Sequence, residues 1–137
     1  MPVDRYDFGG TMFSVSYEIN RIVRKFGGET GLYSGQPRIL TILSENEGAT
    51  LSELSGYCGI GMASLSVSVR NMEKYGMIRK ISQGRQSRLY LTAEGRKRAL
   101  KFHEKIDKLY VELLESFGGG EELNANLIAL VRYLETQ

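Results

Sequence analysis

Apolar side chains recur every three or four positions along most of the chain, which is the spacing of one face of an α-helix. Between about residues 6 and 26 one apolar side is made of Met12, Val15, Ile19, Ile22, Val23 and Phe26. Gly27 and Gly28 follow, and we expect the first helix to end there. A shorter helix should begin at Pro37, because proline is favoured in a first turn.

The next segment, residues 50–76, predicts two helices separated by a tight turn. Thr50 is an N-cap residue and Glu53 follows three positions later, which is the spacing of a capping box. The first helix should be short, because Gly59 can adopt the left-handed conformation that ends a helix. The second helix carries an apolar stripe that must face a core: Leu65, Val69 and Met72.

The opposite face of this second helix is small, polar and basic. It consists of Ala63, Val67, Arg70 and Lys74, flanked by Ser64, Ser66 and Asn71. A helix that enters the major groove of DNA needs short side chains, hydroxyl and amide groups, and a basic residue for guanine or phosphate. This face therefore predicts a recognition helix. The alternative is a serine-rich surface helix with no such role.

A basic β-hairpin is predicted directly after this helix. Two extended runs within residues 77–91 flank a turn expected at Gln83 and Gly84, and a two-residue turn containing glycine is a hairpin signal. No acidic residue occurs in residues 74–93. The candidate DNA contacts of this wing are Arg79, Lys80, Gln83, Arg85 and Arg88. The alternative is a hairpin edge kept basic to prevent edge pairing.

Three motifs in this part of the chain carry a family resemblance. They are GIGMASLS at residues 59–66, MEKYGMIR at 72–79 and LTAEG at 91–95, preceded by Gln36 in GQPRIL. These motifs resemble the MarR family of bacterial transcriptional regulators (multiple antibiotic resistance regulators), over nearly the whole chain. The resemblance implies a homodimer that binds a palindromic operator in double-stranded DNA, mostly as a repressor. Many such proteins release DNA when they bind a small, often phenolic, ligand or become oxidised.

The resemblance also implies roles for individual residues. Arg85 matches the wing arginine that enters the minor groove, and Gln83 stands where the family usually has an aspartate. Ser66 matches the serine of the recognition helix, whereas Val67 replaces a polar or basic residue that often follows it. We therefore expect DNA binding with an operator sequence or affinity that differs from the family norm.

The last third of the chain predicts two helices with more apolar surface than one neighbour covers. A helix from Thr92 to about Phe117 carries a seam close to a heptad, and the glycines at 118–120 should end it. The final helix has one apolar face: Leu123, Leu127, Leu130, Val131 and Leu134. Packing on the winged-helix body is one interpretation. An intertwined two-fold dimer is favoured, with two recognition helices about one DNA turn apart.

These patterns together predict a mostly α (α+β) fold. We expect a winged helix-turn-helix in residues 34–94, with dimerisation helices in residues 1–33 and 95–137. With 42% apolar and 25% charged residues the composition is that of a globular protein, and the net charge of +2 favours no class of partner. No apolar run reaches membrane-spanning length, so a membrane partner is not expected, and the resemblance places the protein in a bacterial or archaeal cytoplasm.

Enzyme chemistry is not predicted. With one histidine and one cysteine, neither a Ser/His/Asp set nor a Cys/His metal cluster can be assembled, and no cofactor is expected. His103 should be a packing or surface residue, with pH sensing or ligand binding as the alternative. Cys58 should be a small buried hydrophobic residue, with redox sensing as the alternative.

A small aromatic effector is a further candidate partner. A cleft between the dimerisation helices and the winged-helix body could be lined by aromatic side chains: Phe13, Tyr17, Tyr33 and Tyr110, with Tyr6 nearby. Aromatic residues at helical spacing also serve as core. The second functional hypothesis is a winged-helix module that binds another protein, but such a module has no need of four basic residues around a hairpin.

Overall fold

Six helices and three short strands form the part of the chain that the computed structural model describes, residues 4–33 and 35–137. In chain order they are α1 (Arg5–Glu29), α2 (Gln36–Glu45), β1 (Ala49–Thr50), α3 (Leu51–Cys58), α4 (Met62–Lys74), β2 (Ile78–Gln83), β3 (Gln86–Leu91), α5 (Ala93–Ser116) and α6 (Glu121–Glu135). The mostly helical winged helix-turn-helix is therefore confirmed. The chain divides into two compact units, Met1–His103 and Glu104–Gln137. The predicted domain boundaries after residues 33 and 94 stay predictions.

The core of the first unit lies between the small sheet and helices α2, α3 and α4. The sheet is antiparallel with strand order β1-β3-β2, and Ile78 pairs with Leu91 while Ala49 pairs with Leu89. The fully buried apolar side chains of this core include Leu40, Leu43, Leu54, Leu65, Met72, Met77, Ile78 and Leu89. Each such side chain contributes roughly 1.5–3 kcal/mol by leaving water, so this core holds the winged helix together.

Local capping signals define α3 as predicted. The hydroxyl oxygen of Thr50 accepts a hydrogen bond of 3.2 Å from the backbone N–H of Glu53. At the other end Gly59 adopts φ 65°, and its N–H donates to the carbonyl of Ser55. A left-handed residue at this point lets the chain reverse direction within a few residues. The turn that leads into α4 is therefore set by local chemistry.

The first helix is longer than predicted, because α1 continues through Gly27 and Gly28 to Glu29. A side chain at Gly27 would place its Cβ 2.8 Å from the carbonyl oxygen of Leu32. The N–H of Leu32 in turn donates to the carbonyl of Gly27 at 2.7 Å. Gly27 thus lets the following loop pack closely against the helix, and the prediction that it ends the helix was wrong.

The hairpin turn lies one residue later than predicted. Gln83 pairs with Gln86, so the two turn residues are Gly84 and Arg85, and Gly84 has φ 63°. A positive φ suits the tight turns that join twisted antiparallel strands. Arg85 therefore lies at the tip of the wing instead of beginning the returning strand. The short strand β1, which adds a third strand beside β3, was not predicted at all.

The second unit contains the end of α5 and the whole of α6. Three consecutive glycines with positive φ, Gly118 to Gly120, form the turn between them as predicted. The N–H of Gly119 donates to the carbonyl of Leu114 at 2.8 Å. No residue of α6 is buried, and Leu127, Val131 and Leu134 are each about half exposed. Within the described ranges, no helix is both long enough and apolar enough to cross a bilayer.

Candidate nucleic-acid interface

Helix α4 presents its polar face because its apolar stripe is buried. Leu65 and Met72 are 0% exposed and Val69 is 2% exposed. A helix with one fully buried stripe cannot rotate without exposing it, so the opposite face is held outward. The residues exposed on that outer side are Ala63, Ser64, Val67, Arg70, Asn71 and Lys74. Ser66, also a predicted contact, is only half exposed at the edge of this face.

The start of α4 is held by a residue that sequence reasoning missed. Arg38 on α2 donates from Nε and Nη2 to the carbonyl oxygen of Cys58, both at 3.3 Å. This carbonyl lies at the end of α3, where a cation is favourable. The N-cap of α4 is Gly61, which provides no side-chain hydrogen bond. Arg38 therefore fixes the turn before α4, and nothing local in the sequence pointed to it.

The outer part of the wing carries most of the predicted basic contacts. Arg79, Lys80, Gln83 and Arg85 are all exposed. The guanidinium of Arg79 lies 5.8 Å from the centre of the Tyr90 ring, its cross-strand neighbour in the ladder. Such a cation–π contact orients the side chain without neutralising its charge. The exposed charge of this part of the wing is therefore available to an anionic partner.

Arg88 differs from the other basic residues of the wing. It is half buried, and its Nη1 donates to the carbonyl oxygen of Gly48 at 2.8 Å. This bond holds β3 against the loop before β1, so one nitrogen of the Arg88 guanidinium stabilises the fold. The predicted contact of Arg88 with DNA stays a prediction.

An ion pair fastens the base of the wing. One carboxylate oxygen of Glu47 accepts a bond of 2.9 Å from the N–H of Leu91, and the other pairs with Arg96 on α5. The Arg96 hydrogen bond is the main cause that lowers the pKa of Glu47, assisted by the Leu91 N–H and opposed by partial burial. Glu47 is therefore held charged where β3 leads into α5.

The candidate aromatic ligand residues are exposed. Phe13 and Tyr17 on α1 are 80% and 62% exposed, Tyr33 in the following loop is 67% exposed, and Tyr110 on α5 is 48% exposed. Tyr110 belongs to the second unit, whereas the other three belong to the first. The effector site stays a prediction.

His103 and Cys58 have structural surroundings. The Nε2 of His103 lies 2.9 Å from the hydroxyl oxygen of Thr41, which itself donates to the carbonyl of Pro37 at 2.7 Å. The Thr41 oxygen must therefore accept a hydrogen bond from an Nε2–H group, which both the neutral Nε2–H tautomer and the charged ring of His103 supply. Cys58 is 3% exposed, and burial raises the pKa of its thiol, which disfavours the reactive thiolate.

A metal site has no geometric support in residues 4–33 and 35–137. Across those residues no three side chains of the His, Cys, Asp or Glu type come together as metal ligands would.

Comparison with known proteins finds similar solved structures, but no matching family model and no matching curated sequence. It is similar to the crystal structure of a MarR family transcription regulator, SP03579, with 22% identity, TM-score 0.86, and coverage of 96% of this chain and 90% of that chain. It is also similar to Staphylococcus aureus MepR in a complex with DNA, with 20% identity, TM-score 0.78, and coverage of 96% and 99%. A third similar structure is Staphylococcus aureus MarR with salicylate and kanamycin, with 16% identity, TM-score 0.81, and coverage of 95% and 89%.

Proposed function

We propose that this chain, which has the fold of the MarR family transcription regulators, is a homodimeric, sequence-specific DNA-binding regulator. The observation that carries the proposal is the outward polar face of α4, held by a fully buried stripe and followed directly by a hairpin with an exposed basic tip. The similar structures are themselves regulators rather than enzymes, and one is a complex with DNA. This supports double-stranded DNA as the partner.

The two parts of the interface have different roles in this proposal. On α4, Arg70 and Asn71 carry donors for base edges, while Ala63 and Val67 offer small apolar surface to thymine methyl groups. On the wing, Arg85 lies at the tip of a two-residue turn and reaches phosphates or the minor groove. Helix α4 therefore supplies sequence preference, and the wing supplies affinity that depends on salt.

Dimerisation is proposed from the apolar surface that a single chain leaves exposed. On α1 this surface includes Phe8, Phe13, Val15 and Ile19, and on α5 and α6 it includes Leu113, Phe117, Leu127, Val131 and Leu134. Soluble monomers rarely expose so many large apolar side chains on single helices, and a two-fold dimer covers the same helices on both copies. Such a dimer matches a palindromic operator with half-sites about 10 base pairs apart.

We further propose that a small molecule regulates DNA binding by this chain. One similar structure contains salicylate, an aromatic carboxylate. The exposed rings of Phe13, Tyr17 and Tyr33 in the first unit supply apolar surface for a small aromatic effector, and Tyr110 is a separate candidate in the second unit. The chain would then act as a repressor that the ligand releases from DNA. A cytoplasmic location in a bacterium or archaeon follows from the same proposal.

Selection of bound sequences from a random duplex pool tests the proposal. We expect the purified protein to enrich a palindrome with half-sites about one helical turn apart, with affinity that falls as salt rises. The double variant Arg70→Ala, Arg85→Ala should lose the enrichment. Arg132→Ala, which removes one positive charge from the last turn of α6, is the control and should keep it. Absence of enrichment by the unaltered protein would contradict the proposal and favour a winged-helix module that binds another protein.

A further inference from the structure

Arg98 joins three separate elements of the first unit. Its Nε donates to the Glu94 carboxylate on its own helix at 2.8 Å, and its Nη1 donates to the carbonyl oxygen of Gly31 at 2.9 Å. The same Nη1 lies 3.8 Å from the sulfur of Met77. One planar guanidinium therefore contacts α5, the segment that ends α1 and the residue that begins the wing. An arginine fork holds several partners in a fixed geometry that a lysine ammonium does not reproduce.

The end of α1 that Arg98 contacts is itself well fixed. The hydroxyl of Thr30 donates to the carbonyls of Phe26 and Gly27, both at 2.9 Å, and Leu32 is 0% exposed. Gly31 has φ +75°, and a Cβ there would lie 3.0 Å from Nη1 of Arg98. The guanidinium thus packs directly against the backbone of the loop that follows α1.

The wing residue that Arg98 contacts is equally constrained. The N–H of Met77 donates to the carbonyl of Met72 at the end of α4, at 2.8 Å, and its carbonyl accepts from the N–H of Thr92 at 3.1 Å. A Cβ at Gly95 would lie 2.1 Å from the Met77 carbonyl oxygen, so the first turn of α5 packs directly on this backbone. The end of α4, the start of the wing and the first turn of α5 are therefore one rigid cluster.

Helix α1 therefore meets the recognition helix through this cluster. In the proposed dimer the exposed apolar side chains of α1 lie against the partner copy, whereas α4 lies against DNA. The angle between α1 and α4 then sets the distance between the two recognition helices. Any residue that fixes this angle also fixes which spacing of half-sites the dimer accepts.

We propose that Arg98 is a positioning residue that holds α1 at a fixed angle to the recognition helix and thereby selects the half-site spacing of the operator. This inference rests on the proposed function. Arg98 acts through α1 and the base of the wing, so its removal should leave the affinity of each recognition helix for its own half-site intact.

The test compares Arg98→Ala and Arg98→Lys with a matched control, Lys97→Ala. Lys97 lies beside Arg98 on the same helix and carries the same charge, but its side chain is exposed. Binding is measured to three duplexes: the selected palindrome, the same palindrome with two base pairs inserted between its half-sites, and a single half-site. The insertion rotates one half-site by about 70° relative to the other.

We expect the unaltered protein and Lys97→Ala to prefer the original spacing, and Arg98→Ala to lose about tenfold of that preference, the size expected when a charged hydrogen bond is removed. Its affinity for the single half-site should change by less than about twofold. A role in folding alone would instead weaken binding to all three duplexes by the same factor. Arg98→Lys keeps the charge, and its spacing preference should lie between those of the unaltered protein and Arg98→Ala. If Arg98→Ala does not fold, Arg98→Lys is used in its place.

An equal spacing preference in Arg98→Ala and Lys97→Ala would overturn the inference while leaving DNA binding in place. Failure of the unaltered protein to bind any of the duplexes specifically would instead overturn the proposed function, and the inference with it.

Discussion

Helices α4 and α6 carry similar apolar stripes, but only α4 buries its stripe within the chain. On α4, Leu65 and Val69 are at most 2% exposed, because α3 and β2 pack against them. On α6, Leu127 is 49% exposed and Val131 is 53% exposed. Helical periodicity thus indicates that a face needs to be covered, but it does not indicate what covers it.

The difference fits the two tasks that we propose for the molecule, DNA binding and dimerisation. A stripe covered by the same chain holds α4 in one orientation, which is what a surface for reading DNA requires. A stripe left exposed by the same chain suits association with a second copy. Four changes would break or sharpen this comparison, and they follow from the largest expected effect to the smallest.

Leu127→Asp should abolish the dimer. A carboxylate in the middle of an apolar interface loses its hydration without a partner, which costs several kcal/mol on each side of a two-fold interface. Sedimentation velocity at low micromolar concentration should show a monomer. Ala129→Asp adds the same charge on the opposite side of α6 and should remain dimeric. If both variants stay dimeric, the exposed stripe of α6 is not the interface.

Leu65→Ala should destabilise the fold by about 3 kcal/mol, because it removes a fully buried side chain and leaves a cavity. Val67→Ala on the same helix, where the side chain is 58% exposed, should change the unfolding free energy by less than about 0.5 kcal/mol. Urea denaturation of both variants checks this contrast. Similar losses for the two variants would mean that Val67 is covered in solution.

Arg85→Ala should weaken binding to every duplex by about tenfold and reduce the slope of log affinity against log salt by about 0.9, since one phosphate-neutralising charge is lost. Arg70→Ala and Ser66→Ala should instead alter the preferred sequence, with a loss of about 1–3 kcal/mol confined to particular base pairs. Titrations on the selected operator and on unrelated DNA separate the two behaviours. Uniform losses for all three variants would contradict the division of roles between α4 and the wing.

Glu47→Gln should have the smallest effect of the four changes. It should lower the free energy of unfolding only at pH values at which Glu47 is charged. Folding lowers the pKa of Glu47 from its ordinary 4.5, so its pairing with Arg96 stabilises the folded state above about pH 4.5. This contribution is lost as the pH falls through the folded pKa. Because Arg96 is 55% exposed, solvent screening limits the contribution to about 0.5–1 kcal/mol.

Urea unfolding of Glu47→Gln and of the unaltered protein should therefore differ at pH 7 and converge as the pH falls through the pKa of Glu47 in the folded state. Glu45→Gln, an exposed carboxylate in the last turn of α2, is the control. A difference in unfolding free energy that does not shrink as the pH falls would mean that the carboxylate charge is not what stabilises the pairing with Arg96.

Elements governed by neighbouring residues were predictable. The Thr50 cap, the left-handed Gly59 and the buried stripe of α4 all involve groups within a few positions of each other. Errors arose where packing outside an element mattered. Gly27 was expected to end α1, but it stays helical, and its missing side chain leaves room for the carbonyl of Leu32 in the following loop.

The contacts that position the candidate interface were less accessible to sequence reasoning. The bond from Arg38 to Cys58 joins residues 20 positions apart, and the bond from Arg88 to Gly48 joins residues 40 positions apart. No periodicity relates such positions, because their proximity exists only once helices and strands have packed. An arginine on a polar surface is compatible with DNA binding or with capping a carbonyl, and only the packed neighbours distinguish the two.

The sequence by itself therefore determined the order of the helices and of the wing hairpin, the outward face of α4 and the basic character of the wing, since these depend on side-chain type and short-range spacing. Tertiary structure decided that Arg85 lies at the hairpin tip, that Arg88 is tied to Gly48, and that Arg98 joins α1 to the base of the wing. Each of these depends on where a backbone carbonyl or a cross-strand partner lies in space, and folding brings those groups together from distant positions.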